Sequence, residues 1–455
     1  MKLRKLAIIA AVACGIPAGH ARAEQPTDIQ PVSHAAQCDC GQPVCGCESV
    51  EPAYQLGDFA LAGCDDPACD GGCDSACDSA ACYGGSFCGD SELDDPWTLF
   101  GEHDGWVAGG WTNIGYHTSN NAGAGILGTG GAPANFNNYA DRVQLQQQWL
   151  YAEKVTDGTD GLSFGGRIDY VYGTDGPDTQ AFGVANNSYD NSWDNGGAYG
   201  HALPQVYGEV AYGNTTVKVG HFFTIEGYEV VAATGNFFYS REFTFYNAEP
   251  FTHTGVLATH TMNDDKTTLY GGWVTGWDSG FEDNGDAFLG GIGHQFTDNF
   301  SLLYTTCMGR FNDDVASPNF GERGTDHCFI ATTQLTDKLM NMIQFDYLDT
   351  NDAADALVRR AYGLNVDFIY QVNDRLALGS RTEYFNWATP QVRAANPGLN
   401  NADLFNQTIG INYNLTANVK IRPEVRWIVD YDRTGVNEDF ARNKAIFGMD
   451  AIFTF

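Results

Sequence analysis

The sequence predicts an all-β protein, a transmembrane antiparallel up-and-down β-barrel of roughly 16 strands, within a range of about 14 to 18. Three observations carry this. Apolar and polar residues alternate with a period of two over about 350 residues, with no helical period of any strength. Only 18% of residues are charged while 13% are aromatic and 54 are glycine, a balance that suits strands with a large surface away from water. Short turns alternate with long polar segments, which is the rhythm of a barrel with turns at one end and loops at the other.

The chain opens on Lys2, Arg4 and Lys5, the short apolar run Leu6–Ala13, and Ala21-Arg22-Ala23 before Glu24. Residues 1–23 therefore read as a cleaved export signal, and the apolar run is too short to span a bilayer as a helix. Cys14 offers the rival reading of a lipoprotein cysteine, disfavoured because the later Ala-x-Ala is the cleaner cleavage point. No later stretch is long and apolar enough for a transmembrane helix.

Residues 24–96 form an acidic, cysteine-rich extension, expected in the periplasm or envelope. It holds Cys38, Cys40, Cys45, Cys47, Cys64, Cys69, Cys73, Cys77, Cys82 and Cys88, and no Lys or Arg occurs between Arg22 and Arg142. Large aliphatic residues are too scarce there to build a core. An even cysteine count in an exported chain points to disulfides. A soft-metal site is the alternative, weakened because the cysteines lack the two-residue spacer of zinc ribbons and have no histidine among them. Cross-linking between chains in the envelope is a third reading. With 24 Lys+Arg against 57 Asp+Glu, the net charge of −33 excludes general nucleic-acid binding.

Residues 97–455 carry the barrel pattern. Leu162, Phe164, Ile168, Tyr170 and Tyr172 share one phase, opposite Ser163, Arg167 and Asp169. Tyr362 to Tyr370, Phe405 to Leu415 and Ala445 to Phe455 repeat it. Turn signals stand at 263–264, 298–299, 373–374 and 416–418, and long polar segments at 118–141, 173–204, 312–325 and 388–403. A soluble sandwich also alternates, but Tyr and Trp bracketing the apolar phases fit interfacial girdles better. In Val419–Tyr431 the apolar phase faces Lys420, Arg422, Glu424 and Arg426 across the strand. Pro423 on the lipid phase lacks an N–H, so a bulge or a locally wetted lumen is expected there. The last strand ends on Phe453 and Phe455, resembling the signal read by the bacterial barrel-assembly machinery.

Segments 165–175, 201–231, 236–245 and 249–258 ("GGRIDYVYGTD", "HALPQVYGEVAYGNTTVKVGHFFTIEGYEVV", "NFFYSREFTF", "EPFTHTGVLA") resemble the OmpL-like β-barrel porin family, in the planctomycete-type form with a Cys-rich leader. The resemblance is clearest over about 105–310, loosens toward Phe455 and leaves out the leader. It implies an outer-membrane barrel with a porin role and does not supply the solute. The sequence as a whole is read as a passive channel for small hydrophilic solutes or ions in the bacterial outer membrane, with outer-membrane lipid and the assembly machinery as partners. A homotrimer is a further expectation. The alternative is a barrel that serves as an anchor, its loops and Cys-rich extension making surface or envelope contacts.

The polar phases supply the pore-lining candidates: Arg167, Asp169, Lys218, Arg381, Glu383, Lys420, Arg422, Glu424, Arg426 and Lys444. Strong charges on facing strands set a field across a permeation path. The plainer reading is that they only pair across strands. Residues 222–253 do not alternate cleanly and hold Glu226, Glu229, Arg241, Glu242, Glu249 and His253. That segment reads either as a constriction loop folded into the barrel or as an aromatic-rich external loop. No nucleophile-elbow spacing accompanies His221 or His253, so no catalytic residue, cofactor or metal is expected. Cys307 and Cys328, on neighbouring strands, are a candidate disulfide if their register faces.

Overall fold

The computed structural model describes residues 93, 95–119, 136–181, 189–190, 198–263, 265–282, 285–313, 320–390, 392, 400–434, 437 and 441–455. The expected signal segment and the ten leader cysteines lie outside the described residues. After the two-residue β1 (Glu102–His103) come β2 (Trp106–His117), β3 (Gln144–Lys154), β4 (Ser163–Gly173), β5 (Gly200–Tyr212), β6 (Thr215–Phe223), β7 (Thr252–Met262), β8 (Thr267–Val274) and β9 (Asp286–Thr297). The second half holds β10 (Phe300–Asn312), β11 (Glu322–Thr336), β12 (Leu339–Asn351), β13 (Leu357–Asn373), β14 (Leu376–Ala388), β15 (Ala402–Thr416), β16 (Val419–Asp430) and β17 (Asn443–Thr454). Two short helices sit in loops, α1 (Gly176–Thr179) and α2 (Phe243–Ala248).

Each strand from β2 onward pairs antiparallel with the next, and β17 returns to β2 with Met449 opposite Tyr116 and Ile452 opposite Asn113. This closes sixteen strands, β2 to β17, into one barrel and leaves no long sheet edge. Phe455 finishes the seam by exchanging backbone hydrogen bonds with Gly110, both 3.0 Å. The predicted architecture and strand number are those observed.

The alternation read from sequence sorts residues as expected. Phe164, Ile168, Phe368, Ile409, Val425, Phe447 and Phe453 point outward and are exposed, while Arg167, Asp169, Asp367, Thr408, Arg426 and Asp450 point inward and are buried. Outward aromatics gather at both rims: Trp106, Tyr212, Tyr370 and Tyr413 near the short turns, Trp273, Phe288 and Trp427 near the long loops. That is the placement of two interfacial girdles around an apolar belt. Five connections at one rim are two residues long (213–214, 298–299, 337–338, 374–375, 417–418), and the longest connections, 118–143, 174–199 and 224–251, are at the other. The chain enters at the short-turn rim, where Trp97 donates its N–H to Asn418 Oδ1 at 2.6 Å and accepts from Asn418 Nδ2 at 2.7 Å.

Two expectations are corrected. Cys307 stands opposite Asp326 and Cys328 opposite Thr305, so the cysteines are diagonal neighbours rather than facing ones. Diagonal positions put Cα atoms about 7–8 Å apart, beyond the reach of a disulfide, and both thiols are free. No bulge forms at Pro423. It pairs in register with Met449 of β17, while on the other side the ladder to β15 passes from Gly410–Glu424 to Tyr413–Ile421 with the rungs between left open. The missing N–H thus interrupts one ladder without shifting it. True register shifts lie elsewhere. The one at Asn113/Ile114 between β2 and β3 turns both Gln146 and Gln147 inward.

Candidate functional site: the loop inside the barrel

The 224–251 connection folds into the lumen. Its short strands of origin explain how it can. Phe223 and Thr252 still face each other across β6 and β7, and Thr224 N–H reaches Phe251 O at 3.0 Å, so the loop leaves and returns at one point. Between those ends it holds its own shape. The Asn236 side chain bonds Val230 N, Val230 O and Ala232 O at 2.9, 2.7 and 2.7 Å. The Arg241 guanidinium donates to Val230 O and Val231 O at 3.0 Å each. α2 then lays Phe243 and Phe245 into the apolar core, which sits inside the barrel between loop and wall.

The far wall receives the loop with matched groups. Glu424 accepts the backbone N–H of Tyr239 at 2.9 Å and of Ser240 at 3.2 Å. Glu383 accepts Thr244 N–H at 2.8 Å and Thr244 Oγ1–H at 2.9 Å. Arg381 donates to Ser240 O at 2.8 Å, pairs with Glu229, and lies over the Phe238 ring at 4.7 Å. Arg422 pairs with Asp450 through two contacts (2.9 and 2.5 Å) and donates to Ala233 O and Asn236 O at 2.9 and 2.6 Å. Asp450 also accepts from Asn113 at 2.6 Å, so Arg422 ties the loop to the closure seam. Across the closure seam, three strands on from β16, the inward-turned Gln147 of β3 clamps Val231 O at 2.7 Å and Ala233 N–H at 2.9 Å.

Glycines make room for this docking. A Cβ at Gly363 would meet Thr244 Oγ1 at 2.2 Å, one at Gly379 would meet the Phe237 ring at 2.2 Å, and one at Gly448 the Tyr239 ring at 2.8 Å. The outcome is that Arg381, Glu383, Arg422, Glu424 and Arg426 are each at most 5% exposed. These wall charges, read from sequence as pore lining, face the lumen but bind the loop.

Arg426 differs from its neighbours. Its guanidinium lies over the Phe243 ring at 4.7 Å and 3.8 Å from Glu383, yet none of its three nitrogens has a hydrogen-bond acceptor. Asp326, Asp346 and Asp367 face inward from β11 to β13, whereas β14 and β16 present both signs, Arg381, Arg422 and Arg426 beside Glu383 and Glu424. Burial raises the carboxyls of Glu242 and Glu249, with Glu229 adding to the first and Asp346 to the second.

The remaining candidates stand apart. Arg167 pairs with Asp169 at 2.6 Å and Glu153 at 2.7 Å. Lys218 lies 3.9 Å from Glu209 and over the Tyr207 ring at 4.8 Å. Lys420 and Lys444 are half-buried on the inward phase. Glu226, Glu229, Arg241, Glu242 and Glu249 are all on the inner loop, which excludes the external-loop reading. His253 is on β7 instead, its Nε2 3.0 Å from Thr224 Oγ1. Sequence reading missed the wall residues Gln147, Gln344, Asp326 and Asp346. The run "QLQQQW" at 144–149 was the available signal for the first of these.

A family profile described as "Putative beta-barrel porin-2, OmpL-like" matches residues 106–455. No curated protein matches the sequence. Among solved structures, an OmpF complex with daunomycin from Salmonella typhi is 13% identical over 77% of this chain and 97% of that one, with a TM-score of 0.52. An anion-selective porin from Comamonas acidovorans is 11% identical over 77% and 99%, with a TM-score of 0.51. The trimer form of OmpT from Vibrio cholerae is 12% identical over 77% and 99%, with a TM-score of 0.50. At these identities the likeness is one of fold. With the profile spanning the whole closed barrel, the chain belongs to the OmpL-like β-barrel porin family and is an outer-membrane porin channel.

Proposed function

We propose that the barrel passes small hydrophilic solutes and ions by diffusion and that the inner loop 224–251 sets what passes. The observation that carries this is the loop's docking across the lumen, held by buried charged and amide groups of β14, β16 and β3. Passage through such a site is selection by size and charge rather than chemistry. Purified full-length protein in planar bilayers tests it. Discrete conductance steps are expected, and insertion without any steps would favour the anchor reading, which the tight packing around the loop keeps in play.

The same reading gives Arg426 a part in selectivity through its field alone, since it is covered by Phe243 but its charge is not offset by hydrogen-bonded acceptors. Arg426→Gln is expected to shift the zero-current potential in a salt gradient toward cation preference. An unmoved potential would remove Arg426 from that role.

Acid is expected to hold the loop down. Burial pushes the Glu226 carboxyl up to about 7, with the Asp346 charge adding to it. A docked loop thus keeps a proton that an undocked loop, near its ordinary value of about 4.3, releases. Docking is free of this penalty below about pH 4, and the penalty grows until about pH 7. Open probability should therefore climb across that window. A flat or falling profile would count against the account.

The extension 24–96 belongs in this proposal on the side of the short turns, since Trp97 is fastened to the 417–418 turn. On that reading residues 1–23 are removed on export, the leader cysteines cross-link in the periplasm, and Phe453 with Phe455 serves assembly. A homotrimer completes it, since one of the structures of similar fold, OmpT, is a trimer form.

A further inference from the structure

We propose that Glu249, Cys328 and Asp346 form a binding site for a borderline divalent cation, Zn2+ being the fitting example, which fastens the inner loop to β11 and β12. One donor atom from each lies within 4.8 Å of the others, and all three residues are buried. Tetrahedral Zn–O and Zn–S bonds place ligand atoms about 3.5 Å apart, a closing of about 1 Å.

The surroundings are those of a prepared ligand set. A single amide, Gln344 Nε2, donates to Glu249 Oε1 at 2.5 Å and to Asp346 Oδ2 at 2.7 Å. Its own oxygen is fixed by Tyr228 N–H at 2.7 Å, so the amide cannot flip. Both carboxylates are thereby oriented, as outer partners orient metal ligands. Glu249 keeps its other oxygen, Oε2, buried without a donor, and Asp346 has only the Cys328 thiol beside the amide. The Cys328 sulfur is hydrogen-bonded to the Asp346 carboxyl and takes the backbone N–H of Gly227, so a cation bound there would displace the thiol proton. Beside them, Glu226 and Asp326 form a buried carboxyl–carboxyl pair with no other donor.

Four carboxyls packed together inside a barrel are costly unless protonated or matched by a cation. No Lys, Arg or His among the described residues forms an ion pair with any of the four. A thiolate among carboxylates selects a softer ion than Ca2+ or Mg2+. Since Glu249 belongs to the loop and the other two to the wall, the ion would act as a staple at one end of the docked segment.

The test uses full-length protein in detergent, with Cys328→Ser and Glu249→Gln checked for folding by heat-modifiable migration. The leader cysteines bind metal in their own right or not at all, so the reading is a difference. Each variant should bind one Zn2+ fewer per chain than wild type at micromolar free metal. Zn2+ should also raise the unfolding temperature of wild type more than that of either variant, and Ca2+ should not reproduce the gain. The same zinc count in a folded variant, or an equal gain from Ca2+, would overturn the site. Glu249→Gln, on the loop, decides the matter if Cys328→Ser does not fold. Metal counting does not depend on conduction, so this proposal and the channel reading fail separately.

Discussion

Arg422→Ala is expected to destabilise the barrel by about 3–5 kcal/mol, because it strands a buried carboxylate. Asp450 loses both contacts of its ion pair and keeps only Asn113 as a donor, while Ala233 O and Asn236 O lose theirs. The site lies where β17 closes on β2, so the loss falls on the seam that completes the fold. The temperature at which the heat-modifiable band disappears reads it directly. Adding Asp450→Asn removes the stranded charge and should recover part of the loss. If Arg422→Ala alone leaves that temperature unchanged, Arg422 is not the latch described here.

Conductance should respond much less to that substitution. Burying a side chain such as Phe238, Phe243 or Phe245 contributes about 1.5–3 kcal/mol each, so apolar packing outweighs one set of hydrogen bonds of about 1.5–3 kcal/mol apiece. The loop stays down when Arg422 is lost. Replacing residues 225–250 by a tight turn is different. Phe223 and Thr252 already face each other, so a hairpin joins them without strain in β6 or β7. Single-channel conductance is expected to rise several-fold in this loop-free barrel. The wall charges Arg381, Glu383, Glu424 and Arg426, freed from the loop, would then face water. Stability should fall as well, since the apolar core is shared between loop and wall.

The barrel was legible because its rule is local. A period of two places Phe447 outside and Asp450 inside whatever the partner strand does. The turn signals at 263–264 and 298–299 act within four residues, and they fall where the structure turns. The inner loop was only half legible. Broken alternation marked 222–253 as irregular, yet nothing local chose between inside and outside. That choice rests on Glu424, Glu383 and Gln147, which lie 84 to 185 residues away in the chain. Glycines such as Gly363 and Gly379 carry no phase signal of their own and are docking surfaces for Thr244 and Phe237. The cysteine pair failed for the same reason. Neighbouring strands were inferred correctly, but register is a property of two segments, and an offset of two residues separates a disulfide from two free thiols. Pro423 was read for the bond it lacks. One ladder gave way there, and the pairing to β17 was enough to hold the register.

The central claim is that the docked loop, and not the barrel wall, sets the passage. The size cut-off for neutral polymers entering the channel measures this most directly, recorded on the wild type and on the barrel with 225–250 replaced by a turn. A distinctly larger cut-off in the loop-free barrel is the predicted result. The same cut-off in both would contradict it and place the limit in the wall or the external loops.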